Sequence, residues 1–417
     1  MTFYTRFHDE ILVLGGGAAG LCTALALAAA GRRVTLLERD PVLFNRASLR
    51  NEGKIHLGLI YAAESGRATA DLQLRGALCF DRLLSEWTKG ASQVIRVSSA
   101  FRYLVHADSL LAPAQLEQHY DHVESRCREA FAQDRGARYL GARPDRLWRR
   151  MPKAEMKRWF TPETFLAGYQ TEERAIDPTE MGHVLAAAVS IYPNLAVRTG
   201  HHVRTVRRGP AGFMLEGSGP DGTWRAEAGQ VVNATWDDLY RLDLEAGLKP
   251  PKGWLMRMKY RVLAHLPEHL ADAPSATLVL GPFGDVVVRP DRTAYLSWYP
   301  TGLQGWSHDL QMPPDWDAPC AGREDPARAA EIAARIMTHI DGWMPGIGRS
   351  TPYQIDAGAI LAHGRTDVDD PQSGLHGRMD SGVTSLDGWH SLNPGKLTTA
   401  PLFAAEVAVV VTDGARV

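Results

Sequence analysis

Residues 11–40, ILVLGGGAAGLCTALALAAAGRRVTLLERD, constrain the fold of this chain more than any other stretch. Apolar Ile11–Leu14 predicts a short buried strand, Ala18–Ala30 a helix of strong formers stopped at Gly31, and Val34–Leu37 a second buried strand closed by Glu38. Between the first strand and the helix stand Gly15, Gly17 and Gly20, spaced Gly-x-Gly-x-x-Gly. In that strand–turn–helix–strand setting the spacing is a dinucleotide fingerprint. Gly15 permits the tight turn, Gly17 lets the backbone approach a pyrophosphate, and Gly20 lets helix and strand pack closely. The unpaired N–H groups of the first turn, at Ala18 and Ala19, then face the phosphates. Glu38, about twenty residues on, is placed to accept from ribose hydroxyls, with Arg39 beside it.

The same run must be separated from a membrane span. Ile11–Gly31 carries no charge, but Asp9 and Glu10 precede it where a signal peptide has basic residues, and Gly15, Gly16, Gly17 and Gly20 interrupt it. No transmembrane segment is expected. A length of 417 residues, 45% hydrophobic and 23% charged, supports two to three globular domains. With 46 basic and 48 acidic residues the net charge is −2, which gives no electrostatic case for a nucleic-acid partner. Cys22, Cys79, Cys127 and Cys320 are scattered, so neither a metal centre nor a disulfide framework is expected, and a reducing, cytoplasmic setting fits. GSGPDG at 217–222 lies between two strand-like runs and reads as a hairpin turn, not a second fingerprint.

RNEGKIHLGLIYA, residues 50–62, has neither the alternation of a strand nor, with Gly53 and Gly58, the composition of a helix. It reads as a loop lying against something flat and polar. Together with the fingerprint, VVNATWDD at 231–238 and HSLNPGKLTTAPLFAAEVA at 390–408, it resembles the FAD-dependent oxidoreductases of the D-amino-acid oxidase/glycine oxidase type. That group also holds sarcosine oxidases, glycerol-3-phosphate dehydrogenases and 2-hydroxyglutarate oxidases.

The resemblance implies FAD as cofactor and a role for each piece. Arg50, Asn51, Gly53 and Lys54 would run over the pyrophosphate and flavin, and Val203 would lie near the adenine. Ala234 and Thr235 would return beneath the cofactor, with Trp236 where the family often has glycine. Gly395, Lys396, Leu397 and Thr398 would turn into a last helix whose N-terminus faces the pyrimidine edge of the flavin. Positive charge there, Lys396 included, favours the reduced, anionic ring. Asp177, followed by Pro178 and Glu180, reads as a structural N-cap with a capping box.

The expected fold class is α/β plus β: a discontinuous Rossmann-like FAD-binding domain (1–90, 150–245 and 345–417) and a substrate domain on an antiparallel sheet (91–149 and 246–344). On the latter, Arg257, Lys259, Arg289, Tyr295 and Tyr299 are candidates to hold a small polar substrate. His56 lies in a stretch similar to the hydroxyl-oxidising members and is a candidate base or flavin-contacting residue. His390 is a second histidine to consider, and Arg378 lies in a polar segment, 366–382, expected beside the flavin or on the surface. The larger number of amine-oxidising members places an amine or amino acid ahead of a 2-hydroxy acid or other alcohol. Electrons would leave to an external acceptor: oxygen, a quinone or a protein. A non-catalytic dinucleotide-binding protein and an NAD(P)H-driven monooxygenase are the competing classes.

Overall fold

The computed structural model describes residues 3–413 apart from 365, 367–369, 371 and 379, with side chains described between 10 and 412. Part of the polar segment 366–382 therefore lies outside the described residues. Two large sheets organise the rest. In the first, Trp389–Asn393, Gly222–Asn233, Phe3–Leu14, Arg33–Leu37 and Leu195–Arg198 run parallel in that order, and Gly382–Leu386 adds an antiparallel edge. The hairpin His202–Gly209/Gly212–Gly219 turns at 210–211, and a second turn at 220–221, the one the sequence predicts, pairs Gly212–Gly219 with the outer part of Gly222–Asn233. The order Leu14, then helix Ala18–Ala29, then Arg33–Leu37 is the expected unit, and the helix packs on Ala400–Asp413. Helices are needed because parallel strands are buried on both faces and must be connected by crossovers.

The second sheet runs Leu303–Ser307, Trp254–His265, Thr293–Trp298, Gly284–Val288, Ala276–Val279, Arg102–His106, Phe165–Thr171 and Trp148–Arg150. Along Trp254–His265 the period of two is strict. Met256, Met258, Tyr260 and Val262 enter a core with helix Pro326–Asp341, while Arg257, Lys259 and Arg261 turn toward the first sheet. Asp325 caps that helix, accepting from Ala327 N and Arg328 N at 3.0 Å each.

The expected boundaries at 150 and 345 differ from the observed pairing. Phe165–Thr171 joins the second sheet, and Thr351–His363 pairs along its length with Trp254–His265. Alternation within one strand shows that it is a strand, not which sheet supplies its partner. Glu180 also departs from its expected place. Asp177 caps its helix through Thr179 N at 2.9 Å, but the Glu180 carboxylate takes Arg96 N and Nε instead of closing a capping box.

The loop that follows Arg33–Leu37 is locked to the second sheet by a buried ion cluster. Asp356 pairs with Arg261 at 2.6 Å and with Arg50 at 3.2 Å, and Arg261 Nη1 donates to Leu49 O. Removing the carboxylate strands two buried guanidinium groups, which costs far more than the pair itself contributes. Asp356→Ala should lower unfolding free energy by about 3–5 kcal/mol in denaturant titrations; a loss below ~1 kcal/mol would show that the cluster is solvated.

Candidate active site

An elongated cavity lies between the two sheets, at the carboxyl ends of the parallel strands, where open α/β sheets bind ligands. At one end it is lined by Gly15, Gly17, Ala18, Ala19, Glu38 and Arg39, with Val203 on the hairpin. Gly15 has φ +97°, and a Cβ on Gly20 would collide with the Gly15 carbonyl. Gly20 therefore serves the turn, as the fingerprint requires, without lining the cavity. Ser48 Oγ accepts from Ala18 N at 2.8 Å, and a Cβ on Gly17 would come within 2.7 Å of that oxygen. Glu38 accepts from Gly16 N and Asp40 N, and Arg39 pairs with Asp237. Ala234 and Thr235 line the middle. Trp236 keeps the left-handed backbone suited to the expected glycine, φ +61°, and its indole Nε1 donates to Ala359 O at 2.8 Å, tying the two sheets together.

The other end is dense in charge. Arg50, Asn51, Lys54, His56, Gly395, Lys396 and Leu397 line it, with Arg257, Lys259, Tyr295 and Tyr299 from the second sheet. Lys54 reaches Thr277 Oγ1 at 2.8 Å and Asp285 Oδ1 at 2.9 Å. Lys259 Nζ lies 4.1 Å from the Tyr299 ring centroid. Burial lowers the Lys396 ammonium from its ordinary pKa, and Glu52 only partly opposes this.

Four residues that sequence reasoning did not single out complete this end: Glu52, Tyr61, Glu173 and Asp285. Glu173, with no exposed surface, accepts from Leu57 N at 2.8 Å and from the Tyr103 hydroxyl, and its Oε1 stands 3.2 Å from His56 Nδ1. Burial works against the charged carboxylate, but His56, Lys54 and Tyr103 outweigh it and hold Glu173 below its usual pKa. For His56 burial dominates, which pushes its pKa down despite Glu173. The imidazole is then neutral, with its proton on Nδ1 toward Glu173; this tautomer is assigned from the partner. Among the described residues His56 Nε2 has no hydrogen-bond partner, and it stands 3.8 Å from Glu52 Oε1.

Some expected site residues sit elsewhere. Gly53 lines no part of the cavity; a Cβ there would strike the Ile176 carbonyl, so this glycine serves strand packing. Thr398 is also absent from the lining: its Oγ1 accepts from His56 N at 2.9 Å and so fastens the 54–56 segment to the C-terminal turn. Arg289 lies 3.8 Å from Asp177, away from the cavity, because its turn follows the strand beyond the site. His390 is held between Ser385 and Gln230 at 2.8 Å each, and burial lowers its pKa to about 4.

The profile of the FAD dependent oxidoreductases, or DAO family, matches residues 10–408. The chain belongs to this family. A phytoene dehydrogenase from Streptomyces griseus is 29% identical over 293 residues, which is 68% of this chain; the match spans 50% of that curated relative's length. Among solved structures, glycine oxidase from Geobacillus kaustophilus superposes with TM-score 0.67 at 15% identity, over 98% of this chain and 95% of that one. Iminodiacetate oxidase from Chelativorans sp. BNC1 gives 0.66 at 18%, over 97% and 95%. L-alpha-glycerophosphate oxidase from Mycoplasma pneumoniae, with FAD bound, gives 0.61 at 18%, over 97% and 94%. At these identities the likeness is one of fold.

As in the family, the cofactor is FAD, and the residues present fit it. The glycine turn lines one end of an elongated cavity, where Gly16 N is held by Glu38 and Ala18 N, expected to face the phosphates, is held by Ser48, and unpartnered side-chain donors and acceptors gather at the other. Among the described residues no group of His, Cys, Asp or Glu could hold a metal ion, and no helix is long and apolar enough to cross a membrane. Gly17→Val should push Ser48 off Ala18 N and fill the turn. The purified variant is expected to lack the visible flavin band while keeping its far-UV circular dichroism; a folded variant with full FAD content would remove Gly17 from the cofactor site.

Proposed function

We propose that this oxidoreductase takes a hydride from the C–H beside nitrogen of a small amine bearing a carboxylate, such as an amino acid. The observation that carries this reading is the acceptor pair Glu52 Oε1 and His56 Nε2, 3.8 Å apart. Burial opposes charge on Glu52, but Lys396 and Lys259 outweigh it and hold its pKa at about 2, so it is a carboxylate at neutral pH. His56 Nε2 offers a lone pair. Two acceptors with no donor of the described residues between them suit a group with two N–H bonds; a hydroxyl has one hydrogen and serves only one of them. Arg257, Lys259, Lys396 and Arg378 make the surrounding wall suit an anion. The same positive charge disfavours a substrate ammonium, and so favours the neutral amine that oxidation requires.

FAD, when bound, supplies the hydride acceptor. The chain's own residues supply the rest: Glu52 and His56 orient the amine and take up its N–H hydrogen bonds, Glu173 holds the imidazole, and the two sheets exclude water. Glycine oxidase and iminodiacetate oxidase, among the structural neighbours, are named for amine substrates, which agrees with this reading. Phytoene, which the curated relative is named for, is a hydrocarbon; burying it here would desolvate several charges without return. Electrons leave to oxygen, a quinone or a protein acceptor outside the chain, and the setting is cytoplasmic.

A second reading has its own observation. Glu173 on Nδ1 and an unpartnered Nε2 are what a histidine base needs to take an alcohol proton, so a 2-hydroxy acid is the alternative. Anaerobic mixing with amino acids and with 2-hydroxy acids separates the two. An amine substrate should bleach the visible band with a rate that rises with pH as the substrate ammonium deprotonates, and Glu52→Gln should weaken its binding. If only hydroxy acids bleach it, the amine reading fails. In that case His56→Ala should slow reduction by ~10²–10⁴-fold, and the wild-type rate should fall only as pH drops through the lowered pKa of His56, below the ordinary 6.5, because the base form is lost there. A protein that binds FAD yet is bleached by neither class would belong to the non-catalytic alternative.

A further inference from the structure

The net charge of −2 hides a local excess of the opposite sign. Residues 146–158 hold six basic side chains, Arg146, Arg149, Arg150, Lys153, Lys157 and Arg158, against one acid, Glu155. All six are exposed. Arg149 is met by Glu155 at 2.7 Å and Arg150 by Glu117 at 3.0 Å. Arg146, Lys153 and Lys157 make no ion pair among the described residues, and Arg158 lies over the Trp159 ring, 4.7 Å from its centroid. Beside these cations the surface dips into an apolar hollow. Met151, Met156, Phe165 and Leu166 line it together with Arg150 and Lys153, and Leu166 is 54% exposed. None of these residues lines the cofactor cavity, so the chemistry there does not account for them.

We propose that this face docks on an anionic lipid surface. Lys153, Lys157 and Arg158 meet the phosphate groups, while Leu166 and the hollow behind it meet the acyl chains. Charge complementarity selects the occupant. A second copy of the chain would bring two basic faces together, and Trp148–Arg150 is the edge of the second sheet, where arginines oppose pairing with another strand. An acidic protein would need carboxylates fixed opposite each cation. A layer of lipid headgroups adjusts to long side chains that hold no fixed geometry of their own. It also offers hydrocarbon within reach of Leu166, and an interfacial level suited to the half-buried indole of Trp159. Attachment of this kind needs both signals, since a few cations or one leucine alone bind weakly. No helix of the described residues is long and apolar enough to cross a membrane, so the contact lies on the surface of the bilayer.

Co-sedimentation of the full-length holoenzyme with vesicles tests this. Vesicles of phosphatidylglycerol and phosphatidylcholine in equal parts should carry the wild type down at low salt, and vesicles of phosphatidylcholine alone should not. Raising the salt toward 1 M should weaken binding, because the Debye length falls from about 10 Å at 0.1 M to about 3 Å. The triple variant Lys153→Gln, Lys157→Gln, Arg158→Gln should bind about a hundredfold more weakly, as expected for three cations that each act near a charged bilayer. Leu166→Ser should also bind several-fold more weakly at unchanged salt dependence. Each variant alters exposed side chains and should keep full FAD content; if the triple variant loses it, the single charge reversal Lys157→Glu decides in its place. A wild type that stays in the supernatant with anionic vesicles, or binds neutral ones equally well, overturns the proposal. So does a triple variant that binds like the wild type. Unchanged affinity in Leu166→Ser would reduce the face to a cationic patch that adheres without docking, and overturns it as well. The measurement is independent of the substrate, so its failure and that of the function proposed above are separate results.

Discussion

The Glu173 carboxylate is the group on which the geometry of the charged end depends. It is fully buried, and its charge is kept there only because a backbone N–H, a tyrosine hydroxyl and an imidazole converge on it. Those donors come from the 54–58 segment and from strand Arg102–His106 of the second sheet. One carboxylate thus fixes the relation between the loop that borders the cofactor cavity and the sheet that faces it. It also sets the tautomer of His56, and so leaves Nε2 as the open acceptor.

Around that point the charges are matched pair by pair. Lys54 is met by Asp285 and Thr277, Lys259 by the face of Tyr299, and Lys396 by the field of Glu52. Buried ion pairs contribute little net stability, since desolvation offsets most of the attraction. Their effect here is positional. Each satisfied pair removes a donor or acceptor from the cavity, so the atoms left open among the described residues, His56 Nε2, the Tyr61 hydroxyl and Arg378 Nε among them, define what a ligand must present.

Much of the cofactor end was legible in the sequence because its signals are local. The glycine spacing, the helix formers behind it and the hairpin at 217–222 each depend on neighbours a few residues away, and the structure agrees with them. Asp177 and Asp325 are caps for the same reason. Trp236 is instructive: the sequence shows a missing glycine, but the backbone keeps the glycine-like conformation because the indole finds a carbonyl on a strand 123 residues away.

The sequence by itself determined the class of cofactor, the family resemblance and the strand whose alternate residues, Arg257 and Lys259, face the cavity. Only the tertiary structure decided which residues share a site. Glu52, Tyr61 and Glu173 carry no local signature; a lone glutamate or tyrosine in a loop looks the same whether it faces solvent or a buried histidine. Gly53 and Thr398 show the converse, with plausible local signals that the fold spends on packing and on joining two segments. The reason is physical: capping, turns and periodicity act within a few residues, whereas burial, orphaned hydrogen bonds and the balance of buried charge exist only once distant segments close over one another.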